Sequence, residues 1–410
     1  MNRFTRQMKS YGQQLRSVMA NELRMIFGDS GVLLVVVLAL LIYATVYSLA
    51  YGSQVLREVP IGVVDESHTP SSRALISTFN AGPNTYVAYD APDMEEAREL
   101  FFDRRIHGIV YIPSSYEKRL LAGEQADVAL YVDASYFLMY RQVFQEIVSS
   151  IGKTGAMVEF QRLVAKGADI PQAKAIAQPV VYRTHNLFNP YLGYGSFVMP
   201  AIVLVIIQQT MLIGIGMIGG TWREKRLYGK LRPPGRLRMS TLPIVVGRGA
   251  VYAAIYAVTS TYILTLHYRL FGYPANGGTG AILLFMGLYL AASIALGIAV
   301  STLFRYRENS LLLLLWTSVP ILMLSGVSYP REGMPEWLYA LGQLFPSSHG
   351  ITGFIRIRSM GASLAEVADQ LRMLGILTLV YGFLACVGIH HAITRETQER
   401  TAETDGTDGR

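Results

Sequence analysis

Six stretches of this chain run long enough without a charge to cross a lipid bilayer, and no other feature limits its fold as sharply. A hydrocarbon core of about 30 Å takes about 20 mostly apolar residues in helical form. The first stretch, Gly31–Tyr51, reads GVLLVVVLALLIYATVYSLAY. It starts too deep and runs too long for a signal peptide, and it lacks a small-residue cleavage site. The others fall at about Tyr191–Thr221, Ala250–Leu266, Gly280–Phe304, Leu311–Tyr329 and Met373–Ile389. Composition agrees: 410 residues that are 51% hydrophobic and 16% charged are too apolar for an ordinary soluble or disordered chain. A single cysteine, Cys386, excludes a disulfide scaffold.

An even number of spans puts both termini on one side, and the basic residues say which. Residues 1–30 carry Arg3, Arg6, Lys9, Arg16 and Arg24 against Glu22 and Asp29. The loop after the second span holds Arg223, Lys225, Arg226, Lys230, Arg232, Arg236 and Arg238 against Glu224 alone, and Arg305 and Arg307 follow the fourth span. The turn at Phe271–Gly278 has no charge. Residues 52–190 hold 13 Lys and Arg against 16 Asp and Glu, net −3, which leaves +10 for the rest of a chain of net +7. Both termini are therefore expected in the cytoplasm and the 52–190 insert outside. The same bias accounts for the basic loops without any nucleic acid as partner.

The insert alternates strand and helix signals. VPIGVVD (59–65), NTYVAY (84–89), HGIVYIP (107–113) and ADVALYVD (126–133) read as strands. Thr69-Pro70 opens one helix, with Pro at its first position. Asp93–Arg105 is a second, with acids in its first turn. A short helix is expected over Ser114–Leu121 and a long one over about Ser135–Lys166. Ahead of the first span, Phe4, Met8, Tyr11, Leu15 and Val18 form one apolar stripe opposite Arg6, Lys9, Gln13 and Arg16. That pattern predicts an amphipathic helix lying in the cytoplasmic leaflet or packed on a protein. Between the last two spans, Trp337–Phe345 and Gly350–Ile357 are too short to cross, and Pro335 and Pro346 punctuate them. Two short re-entrant helices are expected there, within 330–370. Residues 393–410, acidic and Thr-rich, are expected to be a disordered cytoplasmic tail.

Catalytic patterns fail one by one. Gly152-Lys153-Thr154 lacks the P-loop's first glycine, because Ile147 stands in its place. Gly361-Ala362-Ser363-Leu364-Ala365 ends in Ala where a nucleophile elbow needs Gly. The seven histidines never pair at metal spacing, and His349 reads as a satisfied interfacial histidine. Asp65 closes a strand with no GxGxxG before it, so it is expected to cap the next helix. No predicted span contains Asp or Glu, which ion-driven carriers usually need within the bilayer. The polar groups in the spans are Gln208, Gln209, Thr210 and Ser325. The glutamine pair either lines a translocation path or hydrogen-bonds a neighbouring helix. Gly216 and Gly220 form a GxxxG that permits tight helix packing. Energy for any transport would have to come from another polypeptide.

Five passages resemble one family. Asn21-Glu22-Leu23-Arg24-Met25-Ile26-Phe27-Gly28-Asp29 is similar to its connecting helix, and VPIGVVDES with EEARELFFDRRIHGIVYIPSSYEKRLLAGEQADVALYVDAS to its outer domain. Phe188-Asn189-Pro190 matches the family's Asn-Pro, TWREKRLYGKL (221–231) its charged segment after span two, and LSGVSYPREGMP with FPSSHG its re-entrant region. The chain resembles the permease subunits of ABC-2-type (type V) ABC exporters with a large extracytoplasmic domain between spans one and two. It departs where Arg226 stands for the family's second Glu and Lys230 for its Thr.

The resemblance implies a polytopic α-helical protein of the cell (inner) membrane, with six transmembrane helices and an inserted α/β domain. It implies no catalysis and no cofactor on this chain, ATP and Mg being bound by a partner ATPase. A second copy or homologous permease, and a periplasmic adaptor, are further partners it allows. Loop 222–241 would meet the ATPase, with Arg223, Glu224, Lys225 and Arg226 as coupling residues. An amphipathic drug-like compound or lipid would move outward through a dimer in which spans two and five meet. The competing reading is a membrane sensor with an outer ligand-binding domain. It is weakened by the short cytoplasmic loops, which leave no room for a signalling output.

Overall fold

The computed structural model describes residues 3–181, 183–231 and 241–407, with side chains for 11–181, 183–229 and 241–400. Phe4, Met8, Arg6 and Lys9 therefore lie outside the described side chains, as do Lys230, Arg232, Arg236 and Arg238. The chain divides into two compact units, Met1–Gln54 with Asn186–Arg410, and Val55–His185.

The N-terminal segment forms helix α1 (Arg3–Phe27), as its apolar stripe predicts. Helix α2 (Ser30–Ala50) follows, and its first turn is capped by Asp29, whose side chain accepts from Gly31 N and Val32 N. A π-helical stretch, Leu34–Ala39, interrupts α2.

In the inserted unit, strands β1 (Val59–Asp65), β2 (Thr85–Asp90), β3 (Gly108–Ile112) and β4 (Ala129–Val132) alternate with α3 (Pro70–Ala81), α4 (Met94–Phe102), α5 (Tyr116–Ala122), α6 (Phe137–Ala165) and α7 (Ile170–Ala177). The sheet order is β2-β1-β3-β4, with β1 parallel to both neighbours and β4 antiparallel to β3. Central β1 is apolar almost throughout because both faces are covered. Ile61 and Val63 pack with Leu75, Phe79, Val143 and Ile147, and Val64 with Ala97 and Leu100 on the other side. Thr69 caps α3 in a capping box with Ser72, and Pro70 opens the helix. Asp65 acts one step removed from its expected role. It accepts from Ser67 N and His68 N and takes the Ser72 hydroxyl at 2.6 Å, so it braces the turn that Thr69 caps.

The other unit continues with α8 (Tyr194–Glu224), α9 (Leu242–Leu270), α10 (Thr279–Ser301), α11 (Arg307–Trp316), α12 (Ser318–Leu324), α13 (Glu336–Gly342), α14 (Pro346–Arg358) and α15 (Ala368–Thr407). Among the described residues, five helices are long and apolar enough to cross a membrane: α2, α8, α9, α10 and the Ala368–Arg400 part of α15. The predicted span Leu311–Tyr329 is instead the broken pair α11–α12. Pro320 is the reason: it has no N–H, and its ring meets the carbonyl four residues back, at Trp316, where α11 ends. The two short helices expected before the last span are α13 and α14, introduced by Pro335 and Pro346.

Helix α8 is the hub, buried along nearly its whole length. Its own chain encloses it. Small residues let the neighbours in. A Cβ on Gly220 would stand 2.8 Å from the Arg307 backbone, and one on Gly216 3.0 Å from Ser310 Cβ, so the GxxxG seats α11. The outward row Leu312, Leu315, Trp316 and Val319 of α11–α12 stays exposed.

The tail expectation is also corrected: α15 continues to Thr407, and only 408–410 lie outside the described residues. Among its described side chains, charged groups pair with one another and with the segment after α8. Arg395 pairs with Glu399 at 3.0 Å, and Glu396, only 1% exposed, accepts from Gly229 N at 2.6 Å.

Candidate functional site

Two polar clusters stand out in the helical unit, one where α8 ends and one at its middle. At the end of α8, the four expected coupling residues do not converge. Arg223 is half-buried and reaches the Ala392 carbonyl of α15 at 3.5 Å. Glu224 and Lys225 are exposed. Arg226 sits in the left-handed region (φ 49°), and the Leu227 N–H returns to Trp222 O while Arg226 N–H returns to Arg223 O. That double return is a Schellman ending built on a non-glycine residue. Arg400 of α15 then donates to the Arg226 carbonyl at 2.8 Å. The charged segment is thus strapped to α15 from both sides, with Glu224 and Lys225 left facing outward.

Beside it lies an ion pair that sequence reasoning missed. Glu22 of α1 and Arg248 of α9 are 0% and 1% exposed, with Arg248 Nε donating to Glu22 Oε1 at 2.9 Å. The Tyr252 hydroxyl donates to the same oxygen at 3.2 Å, and buried Tyr228 lies within electrostatic reach. Val18 and Leu15 extend the contact, meeting α9 where Gly247 leaves no room for a side chain. A signal existed: Glu22 falls four residues after Val18, in phase with the apolar stripe. An acid on the buried face of an amphipathic helix needs a partner.

A second pair joins α2 to α11. Arg307 grips both carboxylate oxygens of Asp29, one at 2.9 Å. The hydrogen bond from Arg307 holds the Asp29 carboxyl below its ordinary range, against the opposing effect of burial.

At the middle of α8, Gln208, Gln209 and Thr210 are all buried. Gln208 Nε2 donates to Ser347 Oγ of α14 at 3.3 Å, and the Tyr256 hydroxyl of α9 donates to Thr210 Oγ1 at 3.0 Å. Tyr289 of α10 donates to the Leu204 carbonyl one turn before, at 2.7 Å. Both polar atoms of the Gln209 side chain, and Gln208 Oε1, are buried without a partner among the described residues. Ser325 ends α12, away from the glutamines, but Arg331 links them. Its guanidinium binds the carbonyls of Ser325 (3.1 Å) and Ser348 and the Thr352 hydroxyl, and Ser348 adjoins the Ser347 that holds Gln208. His349 is buried and satisfied by the Gln343 carbonyl at 3.0 Å. Arg331, Ser347 and the two tyrosines had no linear signal, because each meets α8 only through the fold.

A bundle of apolar helices with buried polar joints, interrupted early by a small mixed α/β sheet, defines a polytopic membrane protein. The sequence model of the ABC-2 family transporter proteins matches residues 30–387, and this chain belongs to that family. It is the membrane-spanning, non-catalytic component of such a transporter. It is similar to the inner membrane transport permease YhhJ of Escherichia coli, 25% identical over 362 residues, covering 85% of this chain and 89% of the relative. It is 21% identical to the probable multidrug ABC transporter permease YbhR of Escherichia coli, covering 91% and 97%. The linearmycin resistance permease protein LnrN of Bacillus subtilis is 21% identical, covering 78% and 84%.

Proposed function

We propose that this chain is the permease subunit of an ATP-driven exporter in the inner membrane, moving an amphipathic drug-like compound or lipid outward. The observation that carries this reading is the strapped segment at the end of α8. Arg223 and the backbone of Arg226 and Gly229 are tied to α15, while the Glu22–Arg248 pair ties α1 to α9 beside them. A push on the exposed Glu224–Lys225 corner would move α8, α9 and α15 together rather than a loose loop. The middle of α8, where Gln209 keeps polar atoms without a partner among the described residues, is where a substrate would sense that movement.

In this reading α11 and α12 together make the sixth crossing, both termini are cytoplasmic, and α13–α14 re-enter from outside. The ATPase, with its ATP and Mg, docks on Glu224 and Lys225. A second copy or homologous permease covers the exposed row of α11–α12, and a periplasmic adaptor would meet the inserted domain. The multidrug and resistance names of the relatives support an amphipathic substrate. The two states of the dimer would be biased by ATP binding below. The test is Glu224→Arg in the purified complex. ATPase activity without transport, with assembly intact, is expected; unchanged coupling would remove Glu224 from the role.

The sensor reading keeps one observation in its favour, a groove of about 1620 Å3 along α6 of the inserted domain, lined by Phe144, Met157 and Val180. Ligand binding there that leaves ATP turnover unchanged would favour it.

A further inference from the structure

A cavity of about 510 Å3 opens between α9 and α10, away from the polar middle of α8. Its walls are apolar, with Leu264, Met286 and Leu290 each less than a tenth exposed. From Ala257 to Tyr268 it follows α9 for about 16 Å at 1.5 Å per residue, roughly half a hydrocarbon core. Gly287 lines it on α10, and a Cβ there would meet nothing within 4 Å, so a glycine keeps this stretch of wall open.

The end near the 271–278 turn is different. Arg358, from the end of α14, enters the lining there. One of its N–H groups is used on the Leu264 carbonyl at 2.8 Å, and its guanidinium lies 5.0 Å from the Tyr268 ring centre. Its Nε is buried without a partner among the described residues, and so are the Tyr268 hydroxyl and, deeper in, the Ser260 hydroxyl. Arg269 lines the same end, and among the described residues no Asp or Glu lines the cavity. Nor does Arg358 form an ion pair among the described residues. The position is built: Asn276 donates from its backbone to the Arg358 carbonyl at 2.9 Å and from its side chain to Ser359 O at 2.7 Å.

A half-buried guanidinium with a buried, unpartnered Nε–H among the described residues, at the mouth of an apolar groove, lacks one thing, an anion that arrives with its own hydrocarbon. We propose that this groove binds one anionic phospholipid from the leaflet bordering the 271–278 turn. Its phosphate sits on Arg358 and Tyr268, and an acyl chain lies along Leu264, Met286 and Leu290 past Gly287. The site lies outside the proposed path, and it is a lipid-binding joint between α9 and α10 rather than a transport site. It does not depend on what the protein exports.

The test is native mass spectrometry of the full-length chain. It is titrated in mixed micelles with phosphatidylglycerol or with phosphatidylcholine of the same acyl chains. Wild type should retain phosphatidylglycerol about tenfold better, the scale of one charge-assisted contact. Arg358→Gln should erase that preference and Arg358→Lys keep part of it. Gly287→Phe, which leaves the cation intact but fills the groove, should lower retention of both lipids. Because Gly287 lies on an open helix face, this variant serves even if Arg358→Gln does not fold. Equal retention of the two lipids by wild type, or an unchanged preference in Arg358→Gln together with unchanged retention in Gly287→Phe, would overturn the proposal. So would displacement of phosphatidylglycerol by inorganic phosphate alone, which would make this a soluble-anion site.

Discussion

Replacing Glu22 by Ala removes the acceptor that Arg248 Nε and the Tyr252 hydroxyl share, at a place where both are buried from water. Breaking a buried ion pair by deleting one partner costs about 3–5 kcal/mol, because the remaining charge stays desolvated. At about 2–4 °C per kcal/mol, the thermal midpoint of the helical unit should fall by roughly 6 °C or more. The same pair is imperfect: Arg248 Nη1 and Nη2 and Glu22 Oε2 are buried without partners among the described residues. Its net contribution against an apolar replacement is therefore small. The double variant Glu22→Met with Arg248→Met should recover most of the loss. The assay is thermal unfolding in detergent, followed by intrinsic fluorescence and by loss of the monodisperse elution peak, for the two single variants and the double one. A Glu22→Ala midpoint within about 1 °C of wild type would refute the burial argument, and strictly additive losses would refute the pairing. If the pair transmits motion from α1, the recovered double variant should still couple ATP hydrolysis to transport poorly.

Three further outcomes follow from the same geometry. Gly220→Leu would drive a side chain into the Arg307 backbone, where a Cβ alone would stand at 2.8 Å, and should lose folded protein; overpacking of this kind costs about 1–3 kcal/mol, read as yield and thermal midpoint. Thr69→Ala removes the cap of α3 and should cost the inserted domain about 1 kcal/mol in denaturant unfolding, while Thr69→Ser should cost much less. Asp29 has its carboxyl held below the ordinary 3.8, so the stability it supplies is fully present above that value. It is lost progressively as pH falls below 3.8 and through the lower, folded value; wild type and Asp29→Asn should therefore differ in midpoint at neutral pH and converge in strong acid.

The inserted domain was the most legible part because its signals are local. VPIGVVD is a buried strand by composition, and Thr69-Pro70 and Asp93 are helix starts by chemistry; each appears within a residue or two of its expected place. The five long apolar helices and α1 were legible for the same reason. The break at Trp316 was present in the sequence as Pro320, but hydropathy alone joins both halves into one span. The α15 extension was hidden because acidic, Thr-rich composition resembles a solvated tail. What orders it is a contact between Glu396 and Gly229, 167 residues apart. The candidate sites were legible as residue types but not as arrangements. Gln208 and Thr210 could be named from their polarity in an apolar run, whereas Ser347, Tyr256 and Arg331 matter only through what they touch. Glu22 had a signal, its phase on the apolar stripe, and needed Arg248 to give it meaning.

The central claim, that this chain converts a partner's ATP hydrolysis into outward movement of an amphipathic compound, meets its most direct test in affinity purification from membranes in mild detergent. A stoichiometric ATPase subunit should come with the chain, and the complex should turn over ATP in a vanadate-sensitive way that Glu224→Arg disconnects from transport. A chain that purifies alone after crosslinking, with no turnover, would contradict the claim and move the weight to the sensor.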